Sequence, residues 1–331
     1  MNTFKKIGLT ALAGSLVATS VFAGEMSVSG SAGINLANQE KTTKGNGFSM
    51  TDSVTFAGSG EMDNGWTVAV SMELEDNAQN TAATTNNMDS RSVTIGMGDM
   101  GTIIFNGHGG SSAFSAVDDV TPTAYGEAWD ILATSTTGGV NLETAVAKKG
   151  SIGGTTANNM MQYTNSSLVD GLAIHASYLP SNGTQVESVT SFAIAYSGVE
   201  GLTVGYAVDE NGLAGTSGID YDTVYVKYAY GPVTVGYQES SQDADGATDD
   251  DEFTAMGVSY AVSDSLSIGY NTSEYDDDDN TTDEESTSIN FSYTMGSMTL
   301  AGAHVTVDNQ GADSAAINDI SGYALDLSFA F

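Results

Sequence analysis

Large apolar residues occupy every second position over long stretches of the chain, with small or polar residues between them. The pattern is clearest at the carboxyl end, in Tyr323, Leu325, Leu327, Phe329 and Phe331. The same alternation recurs over residues 66–74, 202–208, 224–230 and 289–295. A period of two with one large apolar face predicts β-strands that have one face in an apolar medium and the other in a polar medium.

Short and long connections alternate between these predicted strands. Seven are tight turns rich in Gly, Asp and Asn, of which Asp63-Asn64-Gly65 is an example. Eight are longer polar loops, near residues 38–47, 77–89, 107–157, 181–187, 209–219, 241–252, 275–286 and 308–320. Fifteen connections predict sixteen strands. An even strand count, with short turns on one rim and long loops on the other, is typical of an antiparallel barrel in a membrane.

The polar faces of the predicted strands distinguish such a barrel from a soluble two-sheet sandwich. They carry small groups that suit a water-filled lumen, including Ser27, Ser29, Ser31, Thr55, Thr67 and Ser71. A sandwich would instead pack varied large and small side chains of two sheets against each other. Tyrosines near the strand ends, such as Tyr178 and Tyr230, suit a membrane interface. The predicted fold class is therefore all-β, a 16-stranded antiparallel transmembrane β-barrel.

The first 23 residues have the three regions of a secretory signal peptide. Lys5 and Lys6 precede an apolar run over residues 7–21, and Val21-Phe22-Ala23 forms a small-residue cleavage site. The apolar run is too short for a spanning helix, although an N-terminal membrane anchor is the alternative interpretation. We predict a signal peptide at 1–23 and a barrel domain at 24–331.

The charge balance restricts the partners and cofactors. The 331 residues include 8 Lys+Arg and 42 Asp+Glu, which gives a formal net charge of −34. This excludes nucleic acid as a natural partner, because a phosphate-binding surface needs a basic patch. The chain has no cysteine, which excludes disulfides and thiolate metal sites, and only three histidines. We expect no cofactor.

Several segments resemble the general bacterial (Gram-negative) outer-membrane porins. Residues 90–96 with 101–105 are similar to the strand pair before the constriction loop, and residues 26–30 to the first strand. Residues 159–163 with 171–172 are similar to the strand pair after the loop. The terminal strand resembles an insertion signal carried by Tyr323, Leu325, Leu327, Phe329 and Phe331. The resemblance implies a homotrimer in outer-membrane lipid, with short periplasmic turns, long extracellular loops and a third long loop folded into the lumen.

The loop near residues 107–157 is therefore the predicted constriction, and it is acidic. It contains Asp118, Asp119, Glu127 and Asp130, and the alternation places Lys227 and Glu73 on the lumen side of their strands. Carboxylates in a narrow pore concentrate cations and repel anions, so we expect cation preference. The alternative is that these loop acids are merely solvated.

The basic wall that porins commonly set against such acids is not evident in this sequence. The position that matches the family's pore arginine is Gly107, and the single arginine of the chain, Arg91, shares the parity of the lipid-facing residues. Arg91 is expected to lie at the outer rim. The sequence therefore does not predict the transverse acid-base field of the family in this chain.

Two further acidic segments lie in other predicted loops, at residues 243–252 and 276–285. Their oxygen ligands would suit loosely bound Ca²⁺ or Mg²⁺, and the alternative is hydrated loops screened by salt. Neither segment matches an EF-hand.

The sequence thus predicts an outer-membrane porin, a passive, water-filled channel for small hydrophilic solutes and ions, and not an enzyme. One rival is a structural or adhesive barrel that uses its acidic loops as a binding surface. Another is a barrel hydrolase built around His175 or His304. The glycine pattern of residues 96–101 leads into a predicted strand and not a helix, which argues against a nucleotide site.

Overall fold

The computed structural model describes residues 25–39, 47–75, 88–131, 136–137, 140–141, 149–181, 188–211, 218–244, 250–312 and 319–331. The predicted signal peptide lies outside the described residues. Within these ranges, no helix is long and apolar enough to cross a membrane.

Sixteen antiparallel strands form one closed barrel, which confirms the predicted fold class. Each strand pairs with the next along the chain, and the last pairs with the first. The strands are β1 Glu25–Gln39, β2 Gly47–Glu61, β3 Thr67–Glu75, β4 Met88–Gly96, β5 Thr102–His108, β6 Met160–Asn165, β7 Leu172–Leu179, β8 Val189–Val199, β9 Leu202–Asn211, β10 Ile219–Tyr230, β11 Val233–Ala244, β12 Asp251–Ala261, β13 Leu266–Asp276, β14 Glu284–Met295, β15 Met298–Asp308 and β16 Ile320–Ala330.

Tight turns join the strands at one rim, as the sequence predicts. The turns after β2 and β8 contain Gly65 and Gly201, whose φ angles are 81° and 76°. Glycine adopts this left-handed conformation without the steric cost that a Cβ would bring. The strand ends at the opposite rim are joined by longer stretches of sequence, of which residues 277–283 are described throughout, so the two rims differ as in a membrane barrel.

The outer face of the barrel is apolar and carries a belt of tyrosines. Val28, Val224 and Ile289 are 61%, 46% and 65% exposed. Tyrosines project outward with them from β6 to β14 and from β16, namely Tyr163, Tyr178, Tyr196, Tyr206, Tyr228, Tyr230, Tyr237, Tyr260, Tyr270, Tyr293 and Tyr323. An apolar band flanked by amphipathic rings is the surface that a lipid bilayer requires.

The barrel closes at the carboxyl terminus. Phe331 and Gly30 exchange two backbone hydrogen bonds of 2.8 and 2.9 Å. A Cβ on Gly30 would lie 2.8 Å from the Phe331 ring, so only glycine leaves room for the ring there. The terminal aromatic residue therefore completes the seam between the first and last strands.

Candidate functional site: the loop inside the barrel

The third long loop, between β5 and β6, folds into the lumen as predicted. Its two ends are held together by a short ladder in which Gly110–Ser111 pairs with Thr156–Ala157. A single turn of 3-10 helix, Ala113–Ala116, follows the first strand of this ladder. From there the chain runs along the inner wall of the barrel.

A fully buried carboxylate on β9 clamps both limbs of this loop. Asp209 accepts a 2.5 Å hydrogen bond from the Ser112 hydroxyl on the outgoing limb. It also accepts bonds from the backbone N–H and the hydroxyl of Thr155 on the returning limb, at 2.8 and 3.3 Å. Three donors on one carboxylate satisfy a charge that would otherwise be costly to bury.

Backbone N–H groups of the loop also bind polar side chains of the wall. Ala113 donates to Ser177 on β7 at 3.0 Å, and Phe114 donates to Ser191 on β8 at 2.9 Å. Further along, Val120 donates to Gln238 on β11 and Ala124 to Asn290 on β14, at 3.2 and 2.8 Å. The small polar residues of the inner face thus serve as acceptors for a loop that has little secondary structure of its own.

Apolar side chains of the loop fill the space between it and the wall. Phe114 and Val117 are completely buried against Ala193, Ala207 and Tyr225. Trp129 is completely buried as well, edge-on to Phe253 of β12 with ring centroids 5.2 Å apart. Ile131 packs against β1, β15 and β16. The hydrophobic core of this protein therefore lies inside the barrel and fixes the position of the loop.

The loop brings three of the predicted site residues together. Ligand oxygens of Asp119, Glu127 and Asp130 all lie within 4.8 Å of one another. The indole of Trp129 donates a 3.1 Å hydrogen bond to Asp119. Asp118 lies beside this acidic cluster and accepts a 3.4 Å bond from the Gly154 N–H. Like charges this close raise the local negative potential in the lumen.

These carboxyl groups resist ionisation. Burial within the barrel raises the pKa of Glu127 to about 8, and the nearby Asp119 and Asp130 add to the shift. The pKa of Asp119 rises to about 7 through restricted hydration and the charges of Asp130 and Asp118, although its side chain remains accessible to water. Burial raises the pKa of Asp118 to about 6. The charge of the loop therefore changes between pH 5 and 9.

The wall across the lumen carries hydroxyl groups. In a ring of sixteen strands, β3 lies halfway round from β11, which holds the loop at Gln238. The inner faces of β2 to β4 present Ser53, Thr55, Ser71, Ser92 and Thr94. Glu73 is on this wall and accepts a 3.2 Å bond from Ser90. The loop acids therefore face neutral and acidic groups.

Three basic residues lie in the described part of the chain, each in a different environment. Lys227 is on the inner face of β10, with its ammonium 5.9 Å from the centre of the Tyr225 ring. Lys149 forms an ion pair with Asp277. Arg91 is exposed on the outer face of β4 and lies over Gly107, where a Cβ would be 3.0 Å from its Nε. Among the described strands, Lys227 is the single Lys or Arg that faces the lumen.

One group of three carboxylates in the described part of the chain is close enough together to bear on the expected Ca²⁺ or Mg²⁺ binding. It is the cluster of Asp119, Glu127 and Asp130, whose carboxylate oxygens suit Ca²⁺ or Mg²⁺. The acidic segments at 243–252 and 276–285 form no comparable group among their described residues. Asp245 and Asp249 lie outside those residues.

Sequence reasoning did not identify Asp209 as a loop anchor. Its position shares the inner-face parity of Thr203, Gly205 and Ala207 on β9. Asp209 is a single carboxylate among small residues on a face predicted to line the lumen. A carboxylate buried there requires hydrogen-bond donors from another segment, so this pattern could have indicated a contact with the loop.

Comparisons with known structures agree with this architecture. The barrel resembles an anion-selective porin from Comamonas acidovorans, with a TM-score of 0.68 and 15% identity over 93% of this chain and 100% of that chain. It also resembles a Salmonella typhi OmpF complex with daunomycin, with a TM-score of 0.70 and 14% identity over 93% and 98%. At these identities the likeness shows the fold alone.

Sequence comparison identifies the family to which this chain belongs. A search of curated proteins finds no match. The family model of the Gram-negative porins, however, matches residues 8–313. Because that match covers most of the chain, and the sixteen strands and inward loop accord with it, this chain belongs to the Gram-negative porin family and is a β-barrel of the outer membrane.

Proposed function

We propose that this porin is a passive, water-filled channel for small hydrophilic solutes and ions that prefers cations. The observation that carries the proposal is the acidic cluster of Asp119, Glu127 and Asp130 on the loop, set across the lumen from a wall of hydroxyls and Glu73. Carboxylates outnumber basic groups along this lumen, which raises the cation concentration and repels anions. No catalytic step is involved.

Single-channel recording tests the channel itself. Purified barrels inserted in a planar bilayer are expected to give stable conductance steps. Folded barrels that conduct nothing would instead favour the structural or adhesive rival. Of the two histidines in the hydrolase rival, His304 is on the outer face of β15, away from the lumen, whereas His175 is on the inner face of β7. Loss of turnover in a His175→Ala variant would support that rival.

The cation preference should depend on pH. Raising the pH from 5 to 9 ionises Asp118, Asp119 and Glu127, whose pKa values are raised to about 6, 7 and 8. Deprotonation adds negative charge to the pore, so the preference is expected to grow with pH and to be smallest at pH 5. Reversal potentials in a fixed salt gradient at each pH measure it. A preference that is constant from pH 5 to 9 would contradict this assignment.

We also propose a homotrimer whose contacts involve the outer face of β1 to β5. The outward tyrosines begin at β6, and the outer faces of β1 to β5 carry none. Those five strands instead expose large apolar residues, including Met26, Phe48 and Met50, together with the charged Arg91. Interfacial tyrosines are expected where the barrel contacts lipid, so the outer face of β1 to β5, which lacks them, is the part expected to contact another protomer. The mass of the detergent-solubilised complex tests the stoichiometry.

The terminal strand is proposed to act as the signal for insertion, carried by Tyr323, Leu325, Leu327, Phe329 and Phe331. Phe331→Ala is expected to lower the amount of barrel assembled in the outer membrane. The substitution removes the ring that packs over Gly30, where the first and last strands meet. Phe192→Ala is the control, since Phe192 also projects from the outer face, is 43% exposed, and lies on β8 outside the sector proposed for the trimer contact. Heat-modifiable gel mobility of membrane fractions measures assembly, and equal yields of the two variants would contradict the assignment.

A further inference from the structure

Three glycines lie on the inner faces of adjacent strands, beneath the middle of the loop. They are Gly236 on β11, Gly257 on β12 and Gly269 on β13, and together we call them the glycine seat. Gly236 and Gly257 are direct partners in the strand register. Loop residues 121–124 lie directly over this surface.

The glycine seat is required for space and not for backbone conformation. None of its three members is among the residues with positive φ. A Cβ on Gly257 would lie 2.4 Å from the Pro122 carbonyl oxygen and 2.6 Å from the Thr121 methyl group. A Cβ on Gly236 would lie 2.5 Å from Cδ of Pro122. Real contacts of this kind begin near 3.0 Å, so the loop could not occupy this position over any other residue type.

Hydrogen bonds hold the loop on each side of the seat. Val120 is bound to Gln238 and Ala124 to Asn290, four residues apart along the loop. The Asn290 amide reaches Ala124 by crossing over Gly269, where a Cβ would lie 2.3 Å from its oxygen. The two amide anchors therefore fix the ends of a short segment whose height above the wall depends on the glycines beneath it.

The contact at Gly257 itself is steric. Asn271, the strand partner of Gly257, is completely buried, and Thr121 is 4% exposed. Neither side chain has a hydrogen-bond partner among the described residues. Shape, and not side-chain hydrogen bonding, sets the distance between the loop and the wall at this point.

We propose that the glycine seat determines the bore of the channel, with Gly257 as its central positioning residue. The proposal rests on the channel function proposed above. The acidic cluster begins at Asp119, adjacent to the seated segment. Lifting residues 121–124 from the wall moves the loop into the lumen and narrows the path for solutes. Glycine at these positions therefore keeps the pore wide.

Substitutions at Gly257 test this directly. Moving the Pro122 oxygen from 2.4 Å to ordinary contact at 3.4 Å displaces the loop by about an ångström. Gly257→Ala is expected to lower single-channel conductance roughly 1.5- to 2-fold, and Gly257→Val to lower it further, because conductance follows the cross-section of the constriction. The reversal potential should stay nearly constant, since no charge changes. Gly60→Ala is the control for the added methyl group, because a Cβ at Gly60 meets nothing within 4 Å. Gly60 is on the outer face of β2, so this variant is compared only in preparations that have the same oligomeric mass as the unaltered protein.

A paired substitution separates loop position from general damage to the barrel. Gly236→Ala meets ring atoms of Pro122, so Pro122→Ala in the same chain should restore its conductance. The same second change should not rescue Gly257→Ala, which meets the backbone oxygen. Unchanged or increased conductance in folded Gly257 variants would overturn the proposal. An unaltered protein that fails to conduct would instead refute the channel function itself.

Discussion

Replacing Asp119, Glu127 and Asp130 by their amides is expected to remove most of the cation preference of the channel. The three carboxylates are within 4.8 Å of one another, and the facing wall offers hydroxyls in place of compensating basic groups. Confined charge of one sign raises local counter-ion concentrations by about 10-fold or more, so the cation-to-anion permeability ratio should fall by about that factor. Reversal potentials of the combined Asp119→Asn, Glu127→Gln and Asp130→Asn variant measure the change.

The control for this variant removes the same number of charges elsewhere. Asp63, Asp170 and Asp264 are exposed in the tight turns at the opposite rim from the long loops. Their replacement by Asn should leave the permeability ratio nearly unchanged, because salt screens exposed charges beyond about 8–10 Å. If the two triple variants shift the reversal potential equally, selectivity derives from the overall charge of the protein and not from the loop.

Asp209→Ala is expected to loosen the constriction loop and make the channel current noisy. The substitution leaves the Ser112 hydroxyl and the Thr155 N–H without their acceptor at a fully buried site. Each buried donor left unpaired costs about 1–3 kcal/mol, which is enough to populate conformations in which the stem of the loop leaves the wall. Current fluctuations within the open state, and protease sensitivity of the loop, measure the effect.

Asp209→Asn distinguishes loss of the clamp from loss of charge. The amide retains one acceptor oxygen and nearly the same volume, so it should hold the Thr155 limb and give smaller fluctuations than alanine. A steady current in the alanine variant, equal to that of the unaltered protein, would show that Asp209 does not position the loop.

The fold could be predicted because a membrane barrel imposes a simple rule on every strand. One face meets lipid and the other meets water, so large apolar residues alternate with small or polar ones. The alternation at Tyr323, Leu325 and Leu327 can therefore be recognised within a single strand. The contrast between the rims is equally local, since a turn such as Asp63-Asn64-Gly65 is recognised from its own residues. Arg91 was placed outside the lumen by the same parity argument, and the structure exposes it on the outer face.

The internal arrangement of the loop could not be predicted, because it depends on contacts between distant residues. Asp209 and Ser112 are 97 positions apart, and Ala124 and Asn290 are 166 apart. The sequence indicates that Asp118, Asp119, Glu127 and Asp130 share a loop. Their grouping depends on the packing of Trp129 on β12 and β13 and of Ile131 on β15, β16 and β1. The glycine seat has no local signature either, since Gly236, Gly257 and Gly269 resemble other strand glycines until the loop lies over them.

Cation selection by the acidic loop is tested most directly by the reversal potential of the unaltered protein in a planar bilayer with a salt gradient. At pH 8 we expect stable openings and a potential of the sign that cation permeation produces, since the lumen-facing charge is mainly carboxylate. A reversal potential of the opposite sign would keep the channel and contradict the central claim that the acidic loop selects cations.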